Sequence, residues 1–527
     1  MTAAGREADN VARTLVIGDP VVALSESALV DDGAVIVEGR EIVEVGSREQ
    51  LEGRGPFDKV LGSTDHFVMP GFLNCHYHSE LAVGPGLFEF IFERANVMLV
   101  HPTGGAEEED VYTVVLWGLI QAIKGGQTGA IDFFYGRPGM AHFGAEPALR
   151  AYHDAGFRAA FGLVSRDENI YAHEPDEQFL ARLPADLAAE VRATTMGYAW
   201  PVEEIMSSFR FLAEQWHEKD DQIHLLLAPD WTPACSDDLY RQCRELADEY
   251  DTGITTHVLE TRAEMLYNLE RYGMSALARL EEIGVLGPDV SLAHFVWVTD
   301  DDVRRFADSG AVASSNPGSN LRLSTGICRV RDLMDAGGRV GFGTDGISFS
   351  DRDDFFQELR LAAYLQRTPT TFEAGRLDSE QLFRGAGQSG SQAMGWGDRL
   401  GRIDTGCLAD LLVMRKDRMF FPPHRYDRTP FLDVIIDRAE SSDLDAVMIN
   451  GKIVMEDGAI TVVDEDKLRD DVIAASQRLY ALGATTQQTN ISARVDPYIV
   501  DFYQRWYDTP VEPAYLYNPK HDPDVGA

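Results

Sequence analysis

Between about residue 68 and residue 346, short apolar runs alternate with amphipathic stretches of helical period. The runs are Val68-Met-Pro-Gly-Phe-Leu-Asn-Cys-His, Gly129-Ala-Ile-Asp-Phe-Phe, Arg158-Ala-Ala-Phe-Gly-Leu-Val-Ser and Ile223-His-Leu-Leu-Leu-Ala-Pro. Then follow Gly253-Ile-Thr-Thr-His-Val-Leu-Glu, Val290-Ser-Leu-Ala-His-Phe-Val-Trp, Ala311-Val-Ala-Ser-Ser-Asn-Pro and Val340-Gly-Phe-Gly-Thr-Asp-Gly. Apolar runs of this length, separated by segments of helical period, predict buried parallel strands joined by crossover helices. Eight of them predict an α/β fold, a (β/α)8 TIM-like barrel with insertions. An open doubly wound sheet would gather its polar residues at one crevice, whereas here polar residues end many different strands.

The flanks read differently. Leu15-Val-Ile, Val21-Val-Ala-Leu, Ala34-Val-Ile-Val and Gly39-Arg-Glu-Ile-Val-Glu-Val-Gly are separated by turn residues, and Gly401-Arg-Ile-Asp-Thr-Gly-Cys-Leu-Ala-Asp-Leu-Leu-Val-Met and Ala446-Val-Met-Ile-Asn-Gly-Lys-Ile-Val-Met-Glu-Asp-Gly repeat that style near the other end. Both terminal regions are expected to meet in one small β-sandwich satellite. The expected division is 1–66 and 401–483 for the sandwich, 67–400 for the barrel and 484–527 for an aromatic-rich extension. A long segment from about Arg166 to Gln222 separates the third and fourth barrel strands, and insertions of that length often form lids. The extension carries Tyr498, Phe502, Tyr503, Trp506, Tyr507, Tyr515 and Tyr517, too apolar for a free tail, so it is expected to dock over the barrel mouth or across a subunit interface in a homo-oligomer.

Charge narrows the partners. The chain has 86 acidic and 47 basic residues among 527, a formal charge of −39, which repels nucleic acid and anionic membranes. Five scattered cysteines without a CxxC pair are expected to be reduced thiols, and no apolar run is long enough for a membrane span. A soluble, cytoplasmic protein acting on a small molecule is the expectation.

Candidate chemistry lies at the strand ends. His76 and His78, one residue apart, can share one face of a strand. His257, His294 and Asp345 also end apolar runs, with Glu260 just beyond His257. Each alone has an ordinary structural reading, a hydrogen-bonded core histidine or a turn aspartate. Together they recur at the C-terminal ends of strands, where a barrel assembles its active site, and a shared metal ion would satisfy buried imidazoles and carboxylate that are otherwise costly.

Pro70-Gly-Phe-Leu-Asn-Cys-His-Tyr-His, Thr256-His-Val-Leu-Glu-Thr, Leu292-Ala-His, Asn316-Pro-Gly-Ser-Asn-Leu-Arg-Leu and Gly343-Thr-Asp-Gly, in this order, resemble the amidohydrolase superfamily. The resemblance is to its branch of cytosine deaminases, triazine hydrolases and S-adenosylhomocysteine deaminases. It implies one divalent metal held by His76, His78, His257 and Asp345. Zinc is the first choice for a set of nitrogen and oxygen ligands, with iron, cobalt or manganese open. It further implies Glu260, His294 and Asp345 as catalytic residues. Binuclear members use a modified lysine as a bridging ligand; the barrel region offers only Lys124 and Lys219, both on helical stretches, so a single-metal centre is expected.

The expected reaction is attack of a metal-activated water on a small, mostly neutral aromatic or heterocyclic compound, with loss of ammonia, an amine or halide. Hydrolysis of an amide, urea or carbamate C–N bond is the alternative. An inactive barrel scaffold is the non-enzymatic reading, opposed by the presence of every ligand. Phe88, Trp297 and Asn320 are expected at the substrate, with Phe90, Phe92 and Phe349 as further aromatic candidates and Arg322 as the main nearby cation. Tyr77 and Asp230 depart from the branch's usual residues, and the loop after His78 lacks an Arg-Gly pair; these departures point away from nucleosides.

Overall fold

The computed structural model describes residues 12–83, 91–94, 106–137, 139–194, 201–367, 377–421, 430–483 and 486–511. The N-terminal region lays down β1 (Arg13–Gly18), β2 (Val21–Val22), β3 (Leu29–Val30), β4 (Gly33–Glu38), β5 (Glu41–Ser47), β6 (Lys59–Gly62) and β7 (His66–Pro70). The barrel strands are β8 (Phe72–Tyr77), β9 (Gln127–Phe134), β10 (Arg158–Ser165), β11 (Ile223–Pro229), β12 (Ile254–Val258), β13 (Val290–His294), β14 (Val312–Ser315) and β15 (Arg339–Phe342). The chain then returns through β16 (Leu411–Arg415), β17 (Leu444–Ile449), β18 (Lys452–Glu456) and β19 (Ala459–Ile460).

All eight expected barrel strands form, hydrogen-bonded in chain order from β8 to β15 and parallel throughout. The backbone N–H of Asp345, just past β15, donates to His76 O at 3.0 Å and brings the last strand round to the first. Every residue of β9 and β10 is buried, as expected of parallel strands covered on both faces. Leu73, Cys75, Ile131, Ala160, Leu226 and Val312 pack as one apolar cluster. Phe133, Val164 and Ala228 form another, further toward the C-terminal strand ends.

The terminal regions form two sheets, β5-β4-β1-β6 and β19-β18-β17-β16-β7-β2-β3. Val16, Val35 and Val37 of the first pack on Val68, Leu411, Val413, Ala446 and Met448 of the second, which makes the expected sandwich. The run beginning at Val68 is shared between sheets. β7 pairs with β16 in the sandwich, and after Gly71 the same run becomes β8 of the barrel. A Cβ at Gly71 would lie 2.2 Å from Cγ2 of Thr128, so this crossing point admits glycine only.

A second tie joins the two parts. Arg158, fully buried at the start of β10, donates from Nε to Asp410 Oδ2 at 2.7 Å and from Nη2 to Asp410 Oδ1 at 2.8 Å and Asn450 Oδ1 at 3.0 Å. Asp410 and Asn450 belong to the turns of the returning sandwich strands, so this bidentate pair locks barrel to sandwich.

The insertion between β10 and β11 is helical, with Asp176–Leu180, Ala185–Arg192 and Val202–Trp216. The C-terminal helix Thr486–Asp508 packs Ile491, Val495, Ile499, Phe502, Tyr503 and Trp506 against Phe179, Leu180, Leu187 and Val191 of the insertion and against Ala263 and Tyr267 of the helix Arg262–Tyr272. Its charged side chains add ion pairs: Arg494 reaches Glu190 of the insertion at 2.8 Å, and Asp496 holds Arg94, from the segment after the first barrel strand, at 2.8 Å. The extension thus docks on its own chain; Tyr515 and Tyr517 lie outside the described residues. Among the described residues no helix is long and apolar enough to cross a membrane, and all five cysteines are free and buried.

Candidate metal centre

β8 delivers His76 and His78, β12 delivers His257, β13 delivers His294, and Asp345 follows β15. Ligand atoms of His76, His257 and His294 lie within 4.8 Å of one another, as do those of His76, His78 and Asp345. The two groups share His76. His76 Nε2 is 3.1 Å and His78 Nε2 3.2 Å from Asp345 Oδ1, and His294 Nε2 is 4.0 Å from Asp345 Oδ2. His294 and Asp345 adopt φ of 69° and 61°, a left-handed backbone that costs a non-glycine residue roughly 1–3 kcal/mol and is often found at functional sites. Gly343 makes room for Asn316 and His76: a Cβ there would sit 2.5 Å from Asn316 Oδ1 and 2.9 Å from His76 N.

Three of the four imidazoles are oriented through Nδ1. His78 bonds Phe133 O at 2.7 Å, His257 bonds Asp230 O at 2.9 Å, and His294 bonds Asn320 Oδ1 at 2.8 Å. Such contacts fix the tautomer and turn Nε2 toward a metal. Apart from the contacts of the imidazoles with Asp345, His76 Nδ1 and Nε2 and Asp345 Oδ1 are buried with no hydrogen-bond partner among the described residues. These orphaned groups, with neutral nitrogen and carboxylate oxygen as donors, fit a divalent cation.

Burial and neighbouring charge act differently on the groups of the cluster. Burial pushes His76 down to about 3, His294 to about 4 and His257 well below the ordinary imidazole value. Burial opposes the charge on His78 too, but Asp345 and Glu80 outweigh it and raise the ring to about 9. Burial alone would raise Asp345; the charges and hydrogen bonds of His76 and His78, with His294, hold it well below the carboxylate range. Glu260 is the opposite case. Burial, then the charges of Asp345, Glu264, Glu93 and Asp230, raise it well above the ordinary value. Both its carboxyl oxygens are buried without a hydrogen-bond partner, and Oε1 lies 3.6 Å from His294 Nδ1.

The substrate-side expectations fall in different places. Asn320 is the hydrogen-bond partner of His294. Trp297 is half-buried and donates Nε1 to Thr325 O at 2.6 Å. Phe349 lies 5.8 Å from His78 and packs with Leu81, Leu323 and Phe92. Phe88 and Phe90 lie outside the described residues. Arg322 pairs with Asp351. Lys124 ends the helix Glu108–Lys124 and binds Glu465, whereas Lys219 lies in the turn after the helix Val202–Trp216, bridged to Ile223 and over the ring of Trp216, not on a helix as expected.

Tyr77 turns out of the site: its hydroxyl donates to Asp353 at 3.0 Å. Its size therefore has no bearing on the pocket. Asp230 does stand at the site, where its carboxylate accepts from Tyr135 at 3.2 Å and lies 3.7 Å from Arg166, while Tyr135 stacks on His78 at 5.3 Å. Tyr135, Trp231 and Ser319, the last donating to Asp345 Oδ2 at 2.5 Å, were not marked by the sequence pattern. The signal available for Tyr135 and Trp231 is position, one and two residues past a barrel strand.

The sequence profile of the amidohydrolase family matches residues 67–454. The chain belongs to the amidohydrolase family. Among its relatives, this amidohydrolase is 28% identical over 456 residues to the 5'-deoxyadenosine deaminase of Methanosarcina barkeri, covering 85% of this chain and 94% of that protein. It is 28% identical over 444 residues to the 5-methylthioadenosine/S-adenosylhomocysteine deaminase of Pyrococcus abyssi, covering 84% and 94%. Its fold matches a zinc-bound adenosine deaminase of Xanthomonas campestris with a TM-score of 0.75 at 24% identity, over 89% of this chain and 99% of that one. It also matches the zinc-complexed atrazine chlorohydrolase of Arthrobacter aurescens with a TM-score of 0.75 at 22% identity, over 88% and 100%.

Proposed function

We propose that this amidohydrolase is a single-metal hydrolase that deaminates a small, mostly neutral amino-substituted heterocycle. The observation that carries the reading is the contrasting surroundings of two buried carboxyls at one cluster: Asp345 faces His76, His78 and His294 at 3.1, 3.2 and 4.0 Å, whereas both oxygens of Glu260 lack a hydrogen-bond partner among the described residues, and these surroundings push the first carboxyl below and the second above the ordinary range. Environments that push two carboxyls apart in this way assign a base and an acid.

His76, His78, His257 and Asp345 would hold one divalent ion, with zinc the best fit to these donors. Such an ion supplies acidification of water toward a pKa of ~7 and polarisation of the bond under attack. The remaining work falls to the chain. Asp345, fixed through Oδ2 by Ser319, takes a proton from the attacking water. Glu260 gives its proton to the leaving nitrogen, and His294, fixed by Asn320, orients the reacting centre. Phe133 and Phe349 cover the cluster with apolar surface. Chloride leaves without a proton and ammonia does not, so a buried carboxylic acid beside the cluster favours loss of ammonia or an amine over loss of halide.

The deaminase relatives support an amino-bearing ring as substrate. The pairing of Arg322 with Asp351 and of Arg166 with Asp230 engages these cations within the protein and opposes an anionic one. The homo-oligomer belongs to this reading as well and is measured by sedimentation of the zinc-loaded protein. The test of the reaction is ammonia release by zinc-reconstituted protein across aminopurine nucleosides, aminopyrimidines, aminotriazines, ureas and carbamates. Deamination leaves an intact oxo ring. A product cleaved in two at a carbamoyl or urea carbon, with no ring deaminated, would replace this reading by amide-type hydrolysis.

A further inference from the structure

Glu260, the acid of the proposed reaction, is held from one end only. Among the described residues neither of its carboxyl oxygens has a hydrogen-bond partner, so the direction of the side chain is set by the backbone beneath it. That backbone is the turn between β12 and the helix Arg262–Tyr272, and it is strained. Leu259 adopts φ of 54°, a left-handed conformation that a leucine keeps only where its surroundings enforce it.

Two sets of contacts enforce it. On one side the carbonyl of Leu259 accepts from Val296 N at 3.0 Å and from Trp297 N at 2.8 Å, which ties the turn to the chain just past His294. On the other side stands Glu264, fully buried in the first turn of the helix. Thr261 caps that helix by accepting from Glu264 N at 3.1 Å. In an ordinary capping box the glutamate three residues on returns to the N–H of the cap. Here Glu264 Oε2 reaches one residue further back and accepts from Glu260 N at 2.9 Å. Its other oxygen accepts from Thr232, which follows β11, at 2.7 Å. Asn268, one turn along the helix, donates to Thr232 Oγ1 at 3.0 Å and to Glu264 O at 2.9 Å. Thr232 and Asn268 are as fully buried as Glu264. Bonds at both oxygens thus fix this carboxyl against the backbone of the acid, as the support of a functional side chain requires.

We propose that Glu264 is the positioning residue of Glu260: it holds the strained turn from behind, through the N–H of Glu260, and so aims an untethered carboxyl at the reacting centre. The assignment rests on the deaminase reading, in which Glu260 gives its proton to the leaving nitrogen. Displacing such a group by about 1 Å can cost roughly 100-fold in rate.

The test uses the full chain loaded with zinc and whichever aminopurine nucleoside, aminopyrimidine or aminotriazine the wild type deaminates fastest. Glu264→Ala lowers kcat roughly 10–100-fold. It leaves KM within about threefold and zinc content unchanged. In a Glu260→Gln background the same replacement changes kcat less than about threefold, because the group it positions is gone. Glu264→Gln, which keeps an acceptor oxygen for Glu260 N, recovers most of kcat. Hydrogen exchange of the peptide spanning residues 258–261, measured with and without zinc, rises roughly tenfold in Glu264→Ala, while β8 and β13 exchange as in the wild type. If Glu264→Ala does not accumulate as folded protein, Thr232→Val carries the same comparison with a smaller loss. Wild-type kcat in Glu264→Ala, a loss carried by KM or by zinc, an equal loss in the Glu260→Gln background, a Gln variant no better than Ala, or unaltered exchange at 258–261 overturns the assignment. Ammonia release by the wild type keeps the deaminase reading in each of those cases. Release of no ammonia by the wild type from any of these compounds overturns that reading and this assignment with it.

Discussion

His294 and Asn320 are joined by a buried hydrogen bond of 2.8 Å between ring Nδ1 and amide Oδ1, and this contact decides which nitrogen of His294 faces His76, His257 and Asp345. Removing the amide in Asn320→Ala frees the ring to turn. The expected outcome is a loss of roughly 10–100-fold in activity or metal affinity, read by kcat and by zinc titration.

His76 is the ligand common to both groups of converging donors and has no other partner for either nitrogen. Metal analysis of the purified wild type is expected to give about one equivalent of divalent ion. His76→Ala should give none and should release no ammonia. An active His76→Ala protein would remove this residue from the ligand set.

Glu260→Gln tests the acid. The variant should keep its metal and lose turnover by roughly 10²–10⁴-fold. Because the working form of Glu260 is protonated and its pKa is raised, wild-type activity should fall as pH rises through that value. The Gln variant should lack this alkaline limb.

Glu264 gives a stability prediction with a definite sign. It accepts from Thr232 at 2.7 Å and from Glu260 N at 2.9 Å, and burial raises it from 4.5 to about 7. The folded protein therefore holds this proton more tightly than the unfolded chain, so its contribution is full below pH 4.5 and is lost as pH rises to about 7. Urea unfolding of wild type against Glu264→Gln should show a difference that is constant below this window and shifts against the wild type across it.

Arg158 and Asp410 supply the energetic tie between barrel and sandwich. Asp410→Ala strands a buried guanidinium and should cost about 3–5 kcal/mol of unfolding free energy. Replacing both, Arg158→Met with Asp410→Leu, should recover much of that loss. Equal stability of Asp410→Ala and wild type would show that solvent reaches Arg158.

The barrel was legible because its strands are short, mostly apolar runs spaced by segments of helical period, and burial on both faces leaves little strict alternation to confuse the period. The ligand set was legible because a barrel places chemistry at strand ends, where His76, His78, His257, His294 and Asp345 stand. The break at Gly71 was not, since the residues on both sides are equally apolar and only the packing on Thr128 separates two sheets. The role of Tyr77 was misleading for a related reason: its neighbours in sequence are ligands, but its hydroxyl serves Asp353 in the outer layer.

The crossing at Gly71 also bears on how such a protein can change over time. One unbroken stretch of backbone is an inner strand of the sandwich before that glycine and the first strand of the barrel after it. A gene exchange that transplanted the barrel alone would have to cut within this stretch, leaving β16 without its neighbour in the donor's sandwich and the first pair of ligands without their anchor. Crossovers that spare the strand, in the loops beyond His78 or in the helical insertion, can alter the pocket wall while the metal ligands keep their places.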